Sequence, residues 1–157
     1  MTTDTLYFDD VHPGDTFDFG PWHVDRDDLL AFNRRWDPLP IHTDDAAARA
    51  RGLRGLTASG QYTLCAKQAM LNGAAWTEAI IGALGFDELR FPHPVYPGDE
   101  LRLAIACLET RPSRSKPDRG IVKFHFRVFN QDEVLVLSYL DTVMFARRPD
   151  DEAGASR

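Results

Sequence analysis

A carboxylate and an imidazole stand five residues apart in the segment Asp37-Pro38-Leu39-Pro40-Ile41-His42. A carboxylate can accept a proton and an imidazole can accept or donate one, and the two prolines stiffen the chain between them. A pair held in this way can keep one water molecule between an oxygen and a ring nitrogen and take a proton from it. The chemistry that suits such a pair is addition of water to a polarised double bond, or its removal. That chemistry also needs donors for the negative charge that develops on a neighbouring oxygen. Further along, Ser59-Gly60-Gln61-Tyr62 opens a helical segment. Helix starts carry unpaired N–H groups at the positive end of the dipole, and a glycine there lets a ligand come close to the backbone. The Gly60 N–H is therefore the candidate donor. Ser59 is an N-cap, a substrate contact or both, and Gln61 and Tyr62 are pocket-lining or packing residues.

The elements that must position these groups are legible in outline. Pro13-Gly14-Asp15 is a turn, Thr16 to Phe19 alternates like a half-buried strand, and Trp22 to Val24 reads as a second short strand. Asp25 is a good N-cap for a helix over 26–36, with Leu29, Phe32 and Trp36 on one apolar stripe. Pro38 and Pro40 end it, so 37–42 is expected to be a non-helical excursion. Asp44 caps a short Ala-rich helix to about Arg51, with Gly52 as its stop. The helix over roughly 59–73 is nearly apolar all round, with Leu64, Cys65, Gln68 and Leu71 along one side, and is expected to be buried against a sheet. Strands follow at Glu88–Phe91, Leu101–Ile105, Val122–Val128 and 134–146, the last two joined at Asn130-Gln131-Asp132. The pattern is α+β, a curled antiparallel sheet wrapped around a central helix. It predicts a single domain over 1–147 and a polar tail over 148–157.

Asp37 and His42 with the following Thr43-Asp44, the Gly-rich approach to Ser59-Gly60, and the turn Pro94-Val95-Tyr96-Pro97-Gly98-Asp99 together resemble the MaoC-like dehydratases, over roughly residues 10–147. That family includes the (R)-specific enoyl-CoA hydratases and has the hotdog fold. The resemblance implies a hotdog domain in which Asp37 and His42 are the catalytic pair, acting jointly on water. It implies an acyl-CoA or acyl-carrier-protein thioester as substrate, a homodimer or a higher oligomer of dimers, and no metal or redox cofactor. Two positions depart from the family pattern. Leu39 stands where members often carry Asn, and Ser59-Gly60 where they often carry His-Gly. Two other readings fit the same fold: an acyl-CoA thioesterase and a non-catalytic acyl-thioester-binding protein. The segment Gln61–Leu71 has no Asp or Glu, which favours hydration over hydrolysis.

Composition narrows the partners. The 157 residues are 43% apolar and 27% charged, with a formal net charge of −6. These values belong to an ordinary globular protein and argue against a general nucleic-acid binder. No apolar run is long enough to span a bilayer, so no membrane role is expected. Cys65 and Cys107 lie far apart in apolar surroundings, which fits two thiols in a reducing cytoplasm. An anionic CoA ligand would need a local basic patch against the net charge. The basic run is Arg111–Arg119, in which Arg114 and Lys116 either decorate a solvated hairpin or meet the CoA phosphates.

Overall fold

The computed structural model describes residues 5–149. Its framework is one five-stranded antiparallel sheet in the order β1-β3-β4-β5-β2, formed by β1 (Thr16–His23), β2 (Ile80–Arg90), β3 (Glu100–Pro112), β4 (Arg119–Phe129) and β5 (Leu135–Ala146). Among the described residues four α-helices precede β2: α1 (Arg26–Trp36), α2 (Pro40–Thr43), α3 (Asp45–Arg49) and α4 (Gly60–Met70). The expected α+β, hotdog architecture is what the chain adopts.

Strict alternation builds the sheet. From Leu101 to Cys107 in β3, and along β4, every second side chain is buried: Leu101, Leu103, Ile105 and Cys107 from one, Val122, Phe124, Phe126 and Val128 from the other. Fully burying each large side chain contributes about 1.5–3 kcal/mol, so this face anchors the molecule. Trp76 caps it, edge-on to Phe17 at 4.5 Å and tilted against Phe124 at 5.8 Å. The expected hairpin turn is present, with the Asn130 N–H donating to the Val134 carbonyl.

Several expectations change in detail. Phe19 and Trp22 belong to one strand rather than two, with a register shift between them where Gly20-Pro21 is inserted. The β2 strand begins eight residues before Glu88. Its first half, with Gly82, Ala83 and Gly85, has weak strand propensity and three register irregularities against β5, so periodicity does not reveal it. On α4 the buried residues are Tyr62, Thr63, Ala66 and Lys67, not the Leu64–Cys65–Gln68 side. The sheet covers one face of that helix, and Cys65 is exposed. Trp36 is also exposed.

Most of the polar tail predicted over 148–157 lies outside the described residues, which end at Pro149. Its first residue is tethered, since the Arg148 guanidinium reaches Asp10 at 2.8 Å.

Candidate active site

Asp25 starts α1 by accepting the Asp28 N–H at 2.8 Å, and acidic Asp27 and Asp28 sit favourably in the first turn. The helix ends at Asp37, whose N–H still bonds to the Asn33 carbonyl. The segment after it is not the irregular excursion expected from two prolines. Pro40 occupies the first position of α2, where its missing N–H costs nothing and its fixed φ suits a helix, so His42 stands on a helical turn.

His42 and Asp37 come together as the spacing implied, with His42 Nε2 3.8 Å from Asp37 Oδ2. The other ring nitrogen, Nδ1, lies 2.9 Å from the Thr57 carbonyl and 3.1 Å from the Thr57 hydroxyl. A carbonyl only accepts, so Nδ1 carries the proton in this contact, and of the two neutral tautomers the one with a bare Nε2 is the one that fits it. At 3.8 Å the two atoms stand beyond direct hydrogen-bond length. One water within hydrogen-bond reach of both atoms can bridge such a gap.

Asn33 holds this arrangement together and was not singled out by the sequence. It is fully buried, its amide donates to the His42 carbonyl at 2.9 Å and the Thr57 carbonyl at 3.1 Å, and its oxygen accepts the Ser59 N–H at 3.3 Å. One side chain thus ties α1, α2 and the entry to α4. The signal was present: Asn33 falls four residues after Leu29, a polar residue of modest helix propensity on an apolar stripe.

Ser59 is buried and caps α4, accepting the Tyr62 N–H at 3.2 Å. Its hydroxyl is used by the cap and does not line the cavity beside His42. The Gly60 N–H meets no acceptor among the described residues. Gly60 cannot be replaced freely, because a Cβ there would sit 2.8 Å from the Phe91 ring. Gly60 and Gln61 both line a cavity of about 510 Å³ that also includes His42, Thr57, Phe91 and His93. That volume is in the range of small-molecule sites. Asp37 stands beside His42 rather than in this wall.

Tyr62 is a correction. It turns away from the cavity toward α1, edge-on to Phe32 at 5.5 Å, with its hydroxyl donating to Asp28. Burial pushes its phenol up to about 12. Arg114 and Lys116 are not brought to the site within one chain either. They sit on the β3–β4 hairpin, at the Ala146 end of β5, while the cavity lies near Val136 at the other end. The length of β4 between them is about 36 Å. His93, which lines the cavity and bonds the Leu135 carbonyl at 3.0 Å, is a titratable group that spacing alone did not connect to the site.

A family model for the MaoC like domain matches residues 9–125. The MaoC-like dehydratase from Rhodospirillum rubrum is 35% identical, with a TM-score of 0.86, over 92% of this chain and 99% of that one. The R-hydratase PhaJ1 from Pseudomonas aeruginosa, in its unliganded form, is 25% identical, with a TM-score of 0.74, over 92% of this chain and 88% of that one. A Mycobacterium tuberculosis protein with a double hotdog fold is 23% identical, with a TM-score of 0.75, over 96% of this chain and 47% of that one, a likeness of fold alone.

Proposed function

Because the chain belongs to the MaoC-like domain family, we propose that it catalyses reversible addition of water to a 2-enoyl thioester carried on coenzyme A or an acyl carrier protein. The observation that carries this reading is the approach of Asp37 Oδ2 and His42 Nε2 to 3.8 Å, next to a cavity lined by Gly60, whose N–H meets no acceptor among the described residues. The thioester carbonyl oxygen accepts from that N–H. The water between Asp37 and His42 attacks the β-carbon, the C=C electrons move toward the carbonyl, and Gly60 steadies the resulting enolate oxygen. The pair takes the proton that the water loses and delivers it to the α-carbon. Dehydration runs the same steps backward, with the pair removing the α-proton and returning it to the departing hydroxyl. Gln61 contacts the acyl group from the first turn of α4. Ser59 and Asn33 are positioning residues, and no metal or redox cofactor enters.

The active form in this reading is a homodimer. The β2 strand is an open sheet edge with Ile80, Ile81, Leu84 and Phe86 exposed on it, and such an edge calls for pairing. Antiparallel pairing of two β2 strands about a two-fold axis sets the Ile80 end of one beside the Arg90 end of the other. The partner's Arg114 is thereby carried toward the cavity mouth, since Arg114 lies near Leu84 on its own chain. Arg114 and Lys116 would then serve the CoA phosphates of the other copy. Two free thiols, Cys65 and Cys107, support a reducing cytoplasm as the setting.

The test is incubation of the purified protein with crotonyl-CoA and longer enoyl-CoAs, following enoyl absorbance and free thiol together. Loss of absorbance without thiol is the expected result. Thiol release would make the protein a thioesterase, and saturable binding with neither change would make it an acyl-thioester-binding protein. Asp37→Asn and His42→Ala are each expected to lower turnover about 100-fold or more with the fold intact. Wild-type rates in both would remove the pair from the mechanism.

A further inference from the structure

The wall of the cavity beside His42 is not uniform. Thr57, Thr63, Val95 and Val136 are buried, while Gln61, Phe91, Pro92, His93 and Pro94 are exposed and form its rim. The two buried hydroxyls are already used inside the protein. That of Thr57 meets His42 Nδ1 at 3.1 Å, and that of Thr63 donates to the Ser59 carbonyl at 3.4 Å. His93 is different. Its Nδ1 lies 3.0 Å from the Leu135 carbonyl, and its Nε2 has no partner among the described residues.

The sequence around His93 makes it a held group. Pro92 and Pro94 fix their own φ angles, and a residue that precedes proline is confined to extended backbone. The bond to Leu135 ties the ring to the first residue of β5. A carbonyl only accepts, so Nδ1 carries the proton in that bond, and the neutral tautomer that fits it has a bare Nε2. An acceptor held in this way at the rim loses little freedom when a ligand donates to it.

His93 also stands close to the candidate donor for the thioester carbonyl. A Cβ on Gly60 would lie 2.8 Å from the Phe91 ring, and His93 follows Phe91 two residues on, at most roughly 7 Å along the chain. A thioester whose carbonyl oxygen accepts from Gly60 must send its carrier arm to solvent over the exposed part of the wall. Phe91, Pro92 and Pro94 have no side-chain acceptor, and Gln61 meets the acyl group in the proposed reaction. His93 is then the side-chain acceptor that remains on the rim. In a pantetheine thioester the first donor along the arm is an amide N–H, two methylenes beyond the sulfur and roughly 5 Å from the carbonyl carbon.

We infer that His93 Nε2 accepts this amide N–H and so positions the pantetheine arm, whether coenzyme A or an acyl carrier protein brings it. The inference rests on the hydratase reading for the placement of the thioester carbonyl at Gly60. His93 is a positioning residue and touches no reacting atom. Its bond is the same in the ground state and the transition state, so it acts on KM and leaves kcat.

The experiment compares two small thioesters. One is S-crotonyl-N-acetylcysteamine, which has the amide N–H, and the other is its ester analogue, with oxygen in place of that N–H. The wild type is expected to use the amide with kcat/KM about 10-fold above the ester. His93→Phe should erase that preference by losing on the amide alone, and His93→Gln, which keeps an acceptor, should restore part of it. No preference in the wild type, a preference that survives His93→Phe, or equal losses on both thioesters would overturn the inference and leave His93 as a tie between the rim and β5. Crotonyl-CoA and crotonyl-acyl carrier protein are run beside them. The one with the lower KM in the wild type names the source of the amide, and its KM should rise about 10-fold in His93→Phe with kcat little changed. Binding of the saturated butyryl forms of the two small thioesters, measured by calorimetry, requires no hydration. An amide preference there that depends on His93, without turnover of any crotonyl thioester, would sink the proposed reaction and leave the pantetheine contact standing.

Discussion

His42 donates its Nδ1 proton to the Thr57 carbonyl at 2.9 Å, and this bond decides which nitrogen is left to meet water. Thr57 in turn is held by the Asn33 amide, so the tautomer of the candidate base depends on a residue that touches no substrate. Asn33→Ala strands the buried Ser59 N–H and weakens two carbonyl contacts. We expect a stability loss of about 1–3 kcal/mol in urea unfolding, with turnover reduced further than that loss explains at a temperature where the variant is folded. Unchanged turnover in the folded variant would confine Asn33 to stability. Asp141 gives a pH prediction. Burial lifts its folded carboxyl to about 6, above the unfolded value of about 3.9, so protonation favours the fold. That contribution is full below about pH 4 and is lost as pH rises through about 6. The melting temperature of the wild type relative to Asp141→Asn should therefore fall between about pH 4 and about pH 7. Parallel curves for the two proteins would refute it.

At the scale of elements, the site is made where three short pieces end. The last turn of α1 delivers Asp37, the single turn of α2 delivers His42, and the first turn of α4 delivers Gly60. Their relative placement is set by what packs under them, and that packing is tight at glycines. Gly120 on β4 has the Phe8 ring where a Cβ would be. Phe8 is buried, so its ring has little room to give. Gly120→Ala should cost about 1–3 kcal/mol by overpacking, read as a lower urea midpoint with an unchanged slope. A midpoint equal to wild type would mean that the N-terminal turn moves freely off the sheet. Gly60 faces the Phe91 ring in the same way, but Phe91 is half exposed and walls the cavity, so strain there falls on the site more than on the fold.

At the scale of the molecule, the sheet has two unlike edges. The β1 edge alternates exposed with half-buried residues, whereas the β2 edge presents Ile80, Ile81, Leu84 and Phe86 to solvent. Unpaired backbone donors and acceptors beside exposed apolar side chains favour association. Leu84→Lys places a charge on that edge and is expected to shift the protein to monomer in sedimentation equilibrium while the circular dichroism stays native. A dimer that survives Leu84→Lys and Phe86→Lys together would show that β2 is not the interface.

By itself the sequence determined the architecture and the candidate pair. Strict alternation in β3 and β4, the Asp25 and Ser59 caps, and the spacing of Asp37 and His42 are local properties, and each is found where the sequence implied. It could not separate the residues of one helix turn by destination. Gln61 enters the cavity and Tyr62 leaves it, although both are equally plausible from spacing, because only the position of α1 decides which side is open. Nor could it join Asn33 to His42 and Ser59, or part Arg114 from His42. Those relations cross between elements, and their distances depend on how the sheet curls and where α4 lies across it. Local periodicity carries information about burial, while contacts between distant residues are fixed by packing, and packing belongs to the tertiary structure alone.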